Sequence, residues 1–312
     1  MQKKEPMPNN RQVHLDVAVA GPLFMLSAAL LFTLMNLLVK LLGPEYSVWH
    51  IGFYRFCGGW ILIWIVFGRH RNPYRGNDIR LLIIRGCTGS VAFICAVTAI
   101  RILPVSTALV IFYTYPAFAA IFSFLLYRER IGRLEMGCIA MVMLGVGVLF
   151  DFRLGGELFG QVMALVGGAF AGLTVTLIKT LRQKNGPVVI YFYFCTMGML
   201  VTLPKFALNP VLPSTPAALG MILGIVLASL TAQLLMNQGF FYCKGWEGGV
   251  LMSSEIVFTA IAGIIFLGDP TTPRFWIGGL MVFCSVAALN RLKAKARGGK
   301  TRPVGQDKTA GL

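Results

Sequence analysis

Residues 81–131 read LLIIRGCTGSVAFICAVTAIRILPVSTALVIFYTYPAFAAIFSFLLYRERI, and this stretch decides the fold. It holds two apolar runs, 81–100 and 104–127, each close to the roughly 20 residues an α-helix needs to cross about 30 Å of hydrocarbon. Only Arg101, Ile102 and Leu103 separate them. Pro104 then stands where a second helix would start, a position at which its missing N–H costs nothing. Irregular backbone in lipid leaves polar groups without partners, so the two runs read as antiparallel membrane helices joined by a short turn.

Further runs at 17–39, 48–67, 134–150, 158–178, 188–204, 217–236, 248–267 and 275–290 bring the expected total to ten. Pro187 and Pro216 also lie at helix starts, while Pro204 and Pro270 sit at or just past helix ends. The composition agrees. Of 312 residues, 56% are hydrophobic and 13% charged, and the mean hydropathy is +0.73, whereas a soluble domain carries about 25% charged residues. A soluble globular protein, a disordered chain, collagen and a disulfide scaffold are thereby excluded. Cys57, Cys87, Cys95, Cys138, Cys195, Cys243 and Cys284 are scattered singly with no CxxC pair, so neither a zinc site nor a disulfide framework is indicated. Ala18, Val19 and Ala20 resemble a signal-peptidase site but precede the long apolar run, so the first helix is expected to be retained.

Charge sets the orientation. Lys and Arg number 21 in the N-terminus, 68–80, 128–133, 179–187, 237–247 and the C-terminal tail, against 5 in the alternate connections. The positive-inside rule then places both termini in the cytoplasm, for a chain residing in the cell inner membrane. The net charge of +16 would by itself suggest nucleic acid. Topology accounts for it, and no nucleic-acid partner is expected. The basic tail, with Arg291, Lys293, Lys295, Arg297, Lys300 and Arg302, reads as a topology signal and a contact for anionic membrane lipid.

A shift of 140 residues lays 108–130 over 248–270 and places Glu129 on Asp269. A shift of 139 lays the first helix over the sixth and matches Lys40 to Lys179. Each half has five crossings, an odd number, so the second must enter the membrane upside down relative to the first. The expected fold class is therefore an all-α integral membrane protein with ten transmembrane helices arranged as two inverted five-helix repeats. Its parts are a cytoplasmic N-terminus (1–16), a first repeat (17–150), a second repeat (158–290) and a basic tail (291–312).

The stretch 81–131, with its short turn into Pro104 and the Tyr-Pro at 115–116, together with GGVLMSSEIVFTAIAGIIFLGD at 248–269, resembles the drug/metabolite transporter superfamily in its ten-helix form with two EamA-type repeats. The resemblance covers roughly residues 20 to 290 and implies a secondary transporter for a small organic solute. The second half departs from the first in having Ile256 where the first has Pro116 and Asp269 where it has Glu129.

Ionisable residues at membrane depth are functional candidates, because a charge in hydrocarbon is costly. Four fall in the expected spans: Arg55, Arg85, Glu135 and Glu255. Glu135 and Arg85 are near helix ends, where snorkelling suffices. Arg55 lies roughly 10 Å below the outer boundary of helix two and Glu255 roughly 10 Å above the inner boundary of helix nine. Their depths differ, so a salt bridge is not dictated, and Arg85 is an equally good partner for Glu255. Glu255 either binds a cationic group of the substrate or takes up a proton during turnover, the alternative being a permanently paired structural ion. Arg55 is a candidate anchor for a carboxylate or phosphate, again with a structural role as the alternative.

Neutral polar residues at similar depth form the next tier. Asn36, Tyr113, Tyr115, Tyr191, Tyr193, Gln233, Asn237 and Ser254 can line a chamber where aromatic faces and amides meet an organic solute, or they make interhelical hydrogen bonds. Pro116 inside helix four is a candidate hinge, which makes that helix the first choice for a chamber wall. Ala164, Gly168 and Gly172 recur every four residues, a spacing that brings helix backbones together within one chain or in a homodimer. No GxxxxGK[ST] loop, no HExxH and no Ser/His/Asp arrangement at membrane depth is present, which argues against a nucleotide motor and an intramembrane enzyme. No cofactor and no metal are expected. The reading is a carrier driven by a proton or solute gradient. The alternative is a membrane-embedded receptor or scaffold without net transport.

Overall fold

Apolar runs of this length form helices because in lipid only a helix satisfies its own backbone N–H and C=O groups. The computed structural model describes residues 10–68, 74–128, 132–149, 156–242, 251–269 and 272–298. Its helices are α1 (Asn10–Leu41), α2 (Val48–Phe67), α3 (Ile79–Ile102), α4 (Val105–Phe112), α5 (Tyr115–Tyr127), α6 (Arg133–Leu149), α7 (Gly156–Leu181), α8 (Pro187–Leu208), α9 (Pro216–Tyr242), α10 (Ser254–Leu267) and α11 (Pro273–Gly298). Helices α4 and α5 together make one apolar span, Val105–Tyr127. Among the described residues the protein is all-α, with seven long apolar spans and three shorter apolar helices that together make ten membrane-crossing segments.

The helices pair in a pattern that maps onto itself when the halves are exchanged. Helix α1 packs along α9, and its counterpart α7 packs along α3, the counterpart of α9. The pairs α2 with α8 and α6 with α11 exchange into themselves. Five crossings per half put this pseudo-two-fold axis in the membrane plane, an inverted repeat. Local geometry repeats too. Helix α5 ends on Arg128 at φ 53° and α10 on Gly268 at φ 65°, each just before an acidic residue, Glu129 and Asp269. Glu129 itself lies outside the described residues.

Outward faces carry exposed Leu23, Leu30 and Leu34 on α1 and Ile261 and Ile265 on α10. That is the surface lipid requires. Several helices run past the sequence boundaries, α9 to Tyr242 rather than 236 and α11 to Gly298 rather than 290. Helix α1 begins at Asn10 rather than 17, and α8 runs through Pro204 to Leu208, absorbing the missing donor within its last turns.

Two cations tie the ends of α1 and α3 together. Lys40 Nζ donates to the Ile100 and Leu103 carbonyls at 2.9 and 2.7 Å, while Arg101 of α3 donates to the carbonyls of Leu42 and Gly43 after α1. Each charge thereby satisfies carbonyls that a helix end leaves free. At the same face Asp269 Oδ2 accepts from the Ser106 N–H and hydroxyl at 2.9 and 2.7 Å, joining the second half to the first turn of α4. On the opposite face, where most loop Lys and Arg lie, Asn185 Oδ1 accepts from the Asn77 N–H at 2.7 Å. The Asn185 amide returns a bond to the Asn77 carbonyl at 3.0 Å, and Lys184 pairs with Asp78 at 2.9 Å.

The four-residue stripe on α7 is used inside the chain. A Cβ on Gly168 would stand 2.8 Å from the Phe112 carbonyl oxygen, and one on Gly172 would stand 2.7 Å from that of Tyr115. Ala164 is fully buried. Small residues therefore let α7 lie directly against the junction of α4 and α5.

Candidate transport site

The fourth span is broken. Helix α4 stops at Phe112, and α5 restarts at Tyr115 with Pro116 in its first turn. Proline has no N–H for the carbonyl four residues back, so the ladder must open here. Beside this opening Thr114 folds back and donates its hydroxyl to the Ile111 carbonyl at 2.9 Å. The second half breaks at the equivalent place without a proline. Leu251 and Met252 are helical, Ser253 is a turn residue and α10 restarts at Ser254. There the Ser254 hydroxyl donates to the Leu251 carbonyl at 2.6 Å. The hydroxyls of Thr114 and Ser254, 140 positions apart in the chain, thus perform one task in both halves. Discontinuous helices of this kind frame the sites of many secondary transporters.

Glu255 sits where the two breaks meet. It is the second residue of α10, 7% exposed, and its Oε1 accepts from Asn36 Nδ2 of α1 at 3.0 Å. Its Oε2 lies 2.7 Å from the hydroxyl of Tyr113, the residue that closes α4. The same hydroxyl lies 2.8 Å from the Met252 carbonyl oxygen. A phenol has one proton to give, so these two contacts alternate. With the carboxylate ionised, Tyr113 donates to Glu255. With the carboxyl protonated, Glu255 donates to the Tyr113 oxygen and Tyr113 donates to Met252. Both states are hydrogen-bonded in one geometry. One turn along each helix, the Thr33 and Thr259 hydroxyls meet at 3.1 Å, and Tyr115 packs 5.2 Å from Tyr113 between ring centroids.

Neither arginine pairs with Glu255; among the described residues no carboxylate contacts them. Arg85 does not snorkel as its place near a helix end suggests. Helix α3 begins at Ile79, so Arg85 is carried into the interior, and both arginines are only 2% exposed. Aromatic rings box them. The Arg55 guanidinium carbon lies 4.1 Å from the Phe93 centroid and 5.0 Å from that of Phe56, and Arg85 lies 4.6 Å from Phe194. Sequence reasoning missed this arrangement, since three helices bring it together.

The remaining candidates divide. Asn36, Tyr113, Tyr115 and Ser254 gather at the helix breaks with Glu255, and Pro116 forms one of those breaks. Gln233 and Asn237 stand on α9 with buried amide atoms that find no hydrogen-bond partner among the described residues. Tyr191 is buried beside Arg55. Tyr193 is elsewhere, donating to the Tyr74 carbonyl at 3.0 Å near the Asn77–Asn185 clasp. The side chain of Glu135 and the tail beyond residue 298 lie outside the described residues.

Comparison with known proteins follows the fold. The chain is 27% identical over 280 residues to the pseudopaline exporter CntI of Pseudomonas aeruginosa (strain UCBPP-PA14), covering 89% of this chain and 99% of that protein. It is 23% identical over 288 residues to solute carrier family 35 member G1 of Homo sapiens, covering 86% and 77%. One solved crystal structure superposes with a TM-score of 0.61 at 17% identity, over 88% of this chain and 98% of that one, and shares the fold. The two named relatives are an exporter and a solute carrier. The sequence profile of the EamA-like transporter family matches residues 19–150 and again 158–291, so this multi-pass membrane protein belongs to that family and is a transporter.

Proposed function

We propose that the protein is a proton-coupled carrier that moves a small organic solute, an amino acid or related metabolite, across the cell inner membrane by alternating access. The supporting observation is the Glu255 carboxyl at the meeting of the two broken helices, held by Asn36 and by a tyrosine that serves it in either protonation state. A carrier that exchanges a proton for substrate needs a buried carboxyl that can gain and lose a proton without unfolding its surroundings. The 21-to-5 asymmetry of basic loop residues favours cytoplasmic termini. The likeness to proteins named as exporters favours outward movement of the solute.

The test is a metabolite-wide uptake screen in reconstituted vesicles, with and without a pH gradient, for wild type and Glu255→Gln. Wild type should accumulate its solute when the gradient is imposed. The Gln variant should lose that accumulation yet retain solute exchange at equal pH. Unchanged gradient-driven accumulation by the variant would remove Glu255 from the coupling step.

A further inference from the structure

A cation at membrane depth that lacks a counterion is costly, and such residues are retained for what they bind. Arg55 and Arg85 are two of them, side by side. In each, Nε and Nη1 are buried without a hydrogen-bond acceptor among the described residues. Ring faces attract a guanidinium but accept no conventional hydrogen bond, so the aromatic box leaves these donors unmatched. The Arg55 and Arg85 guanidinium carbons lie 5.2 and 4.6 Å from the same Phe194 centroid, which places them within about 10 Å of each other, close enough to repel. An oxyanion lodged between them removes the repulsion and accepts the free N–H groups together, and the guanidinium fork matches a carboxylate in two parallel bonds.

The surroundings extend the site. The Tyr191 hydroxyl is buried beside Arg55 and within reach of the Cys195 thiol. Tyr191 in turn borders Ser229 of α9. Four and eight residues further along that helix stand Gln233 and Asn237, on the same face by helical spacing, with Gln233 Oε1 and both Asn237 amide atoms unmatched. Unmatched donors therefore cluster at the arginines, while α9 adds amide donors and acceptors.

We propose that Arg55 and Arg85 form the anion-recognition half of the substrate site, and that the transported solute is an organic acid with at least two carboxylates, one for each guanidinium. This rests on the carrier reading above. Two cations with no carboxylate against them among the described residues make this part of the interior electropositive, which selects a net-negative solute over an amine or a neutral one.

The experiment measures thermal stability of the full chain in lipid nanodiscs with succinate, citrate, putrescine or inorganic phosphate as probes. A ligand that binds only the folded protein raises its melting temperature with concentration. Succinate or citrate should raise it, and putrescine should not. Arg55→Gln and Arg85→Gln should each weaken the apparent affinity at least tenfold, with Arg85→Lys intermediate because it keeps charge without the fork. If a variant fails to fold, wild type is instead labelled with phenylglyoxal and peptide-mapped by mass spectrometry, where succinate should protect Arg55 and Arg85. Stabilisation by phosphate alone, equal stabilisation by putrescine, stabilisation that survives both Gln substitutions, or no protection from phenylglyoxal overturns the assignment. Carboxylate binding without flux in vesicles sustains the anion site and removes the carrier reading. Flux confined to cationic solutes sustains the carrier reading and removes the anion site.

Discussion

Tyr113 can serve Glu255 in both protonation states because its hydroxyl has two acceptors within reach, the Glu255 carboxyl at 2.7 Å and the Met252 carbonyl at 2.8 Å. Removing that hydroxyl leaves the carboxylate one donor short when Glu255 is ionised, and the Glu255 carboxyl and the Met252 carbonyl each one partner short when it is protonated. A buried polar group left unsatisfied costs about 1–3 kcal/mol. Tyr113→Phe is therefore expected to slow gradient-driven accumulation about tenfold, the kinetic equivalent of about 1.4 kcal/mol, while solute exchange at equal pH changes much less. Initial rates in vesicles, with and without a pH gradient, check this, and equal slowing of both would assign Tyr113 a packing role. The place of Glu255 at membrane depth was legible in the sequence, and the structure buries it. Its partners were not, since Asn36 lies 219 residues away and Tyr113 lies 142 residues away. Depth alone suggested an arginine, and the structure instead supplies an amide and a phenol. For Arg85 the sequence misjudged depth, because two extra residues at the start of α3 and the loop before it draw the side chain inward.

At the scale of elements, the two broken helices show what a sequence discloses and what it hides. Pro116 marks the first break because proline cannot continue the ladder. The second half has Ile256 at the aligned position, yet it breaks at the same place. The device shared by the halves is the hydroxyl of Thr114 or Ser254 folded back on a carbonyl three residues earlier, and hydroxyls in membrane helices are too common to advertise this. Helix α7 must come close for the first break to be covered, which is the reason for small residues facing it. Gly172→Val would push its side chain against the Tyr115 carbonyl oxygen and the Ala119 N–H, both under 3 Å from where a Cβ would stand. Overpacking of this kind costs about 1–3 kcal/mol. The expected result is a melting temperature several degrees lower, whereas Gly220→Val, on the open side of α9 with nothing within 4 Å of a Cβ, leaves it nearly unchanged. Thermal unfolding of both variants in the same detergent decides the point.

At the scale of the whole molecule, the ten spans and their inverted halves were readable because hydrocarbon imposes length and composition on every crossing, and loop charge alternates with orientation. The contacts that join the halves were not, since they depend on single polar side chains in short connections. Alternating access requires those contacts to part on one face while they hold on the other. Ser106 with Asp269 joins the halves near one face, and Asn77 with Asn185, reinforced by Lys184 with Asp78, joins them near the other. If the halves rock against each other, joining Asn77 and Asn185 covalently should trap the protein with the basic-loop face closed. The experiment replaces both with cysteine, treats vesicles with a short bis-maleimide, and compares each single-cysteine variant treated identically. Turnover should fall at least tenfold only in the double variant and only after treatment, while the solute continues to raise the melting temperature of the cross-linked protein. Full turnover with the link in place, confirmed by mass spectrometry, would mean that this face does not open by separation of the two halves.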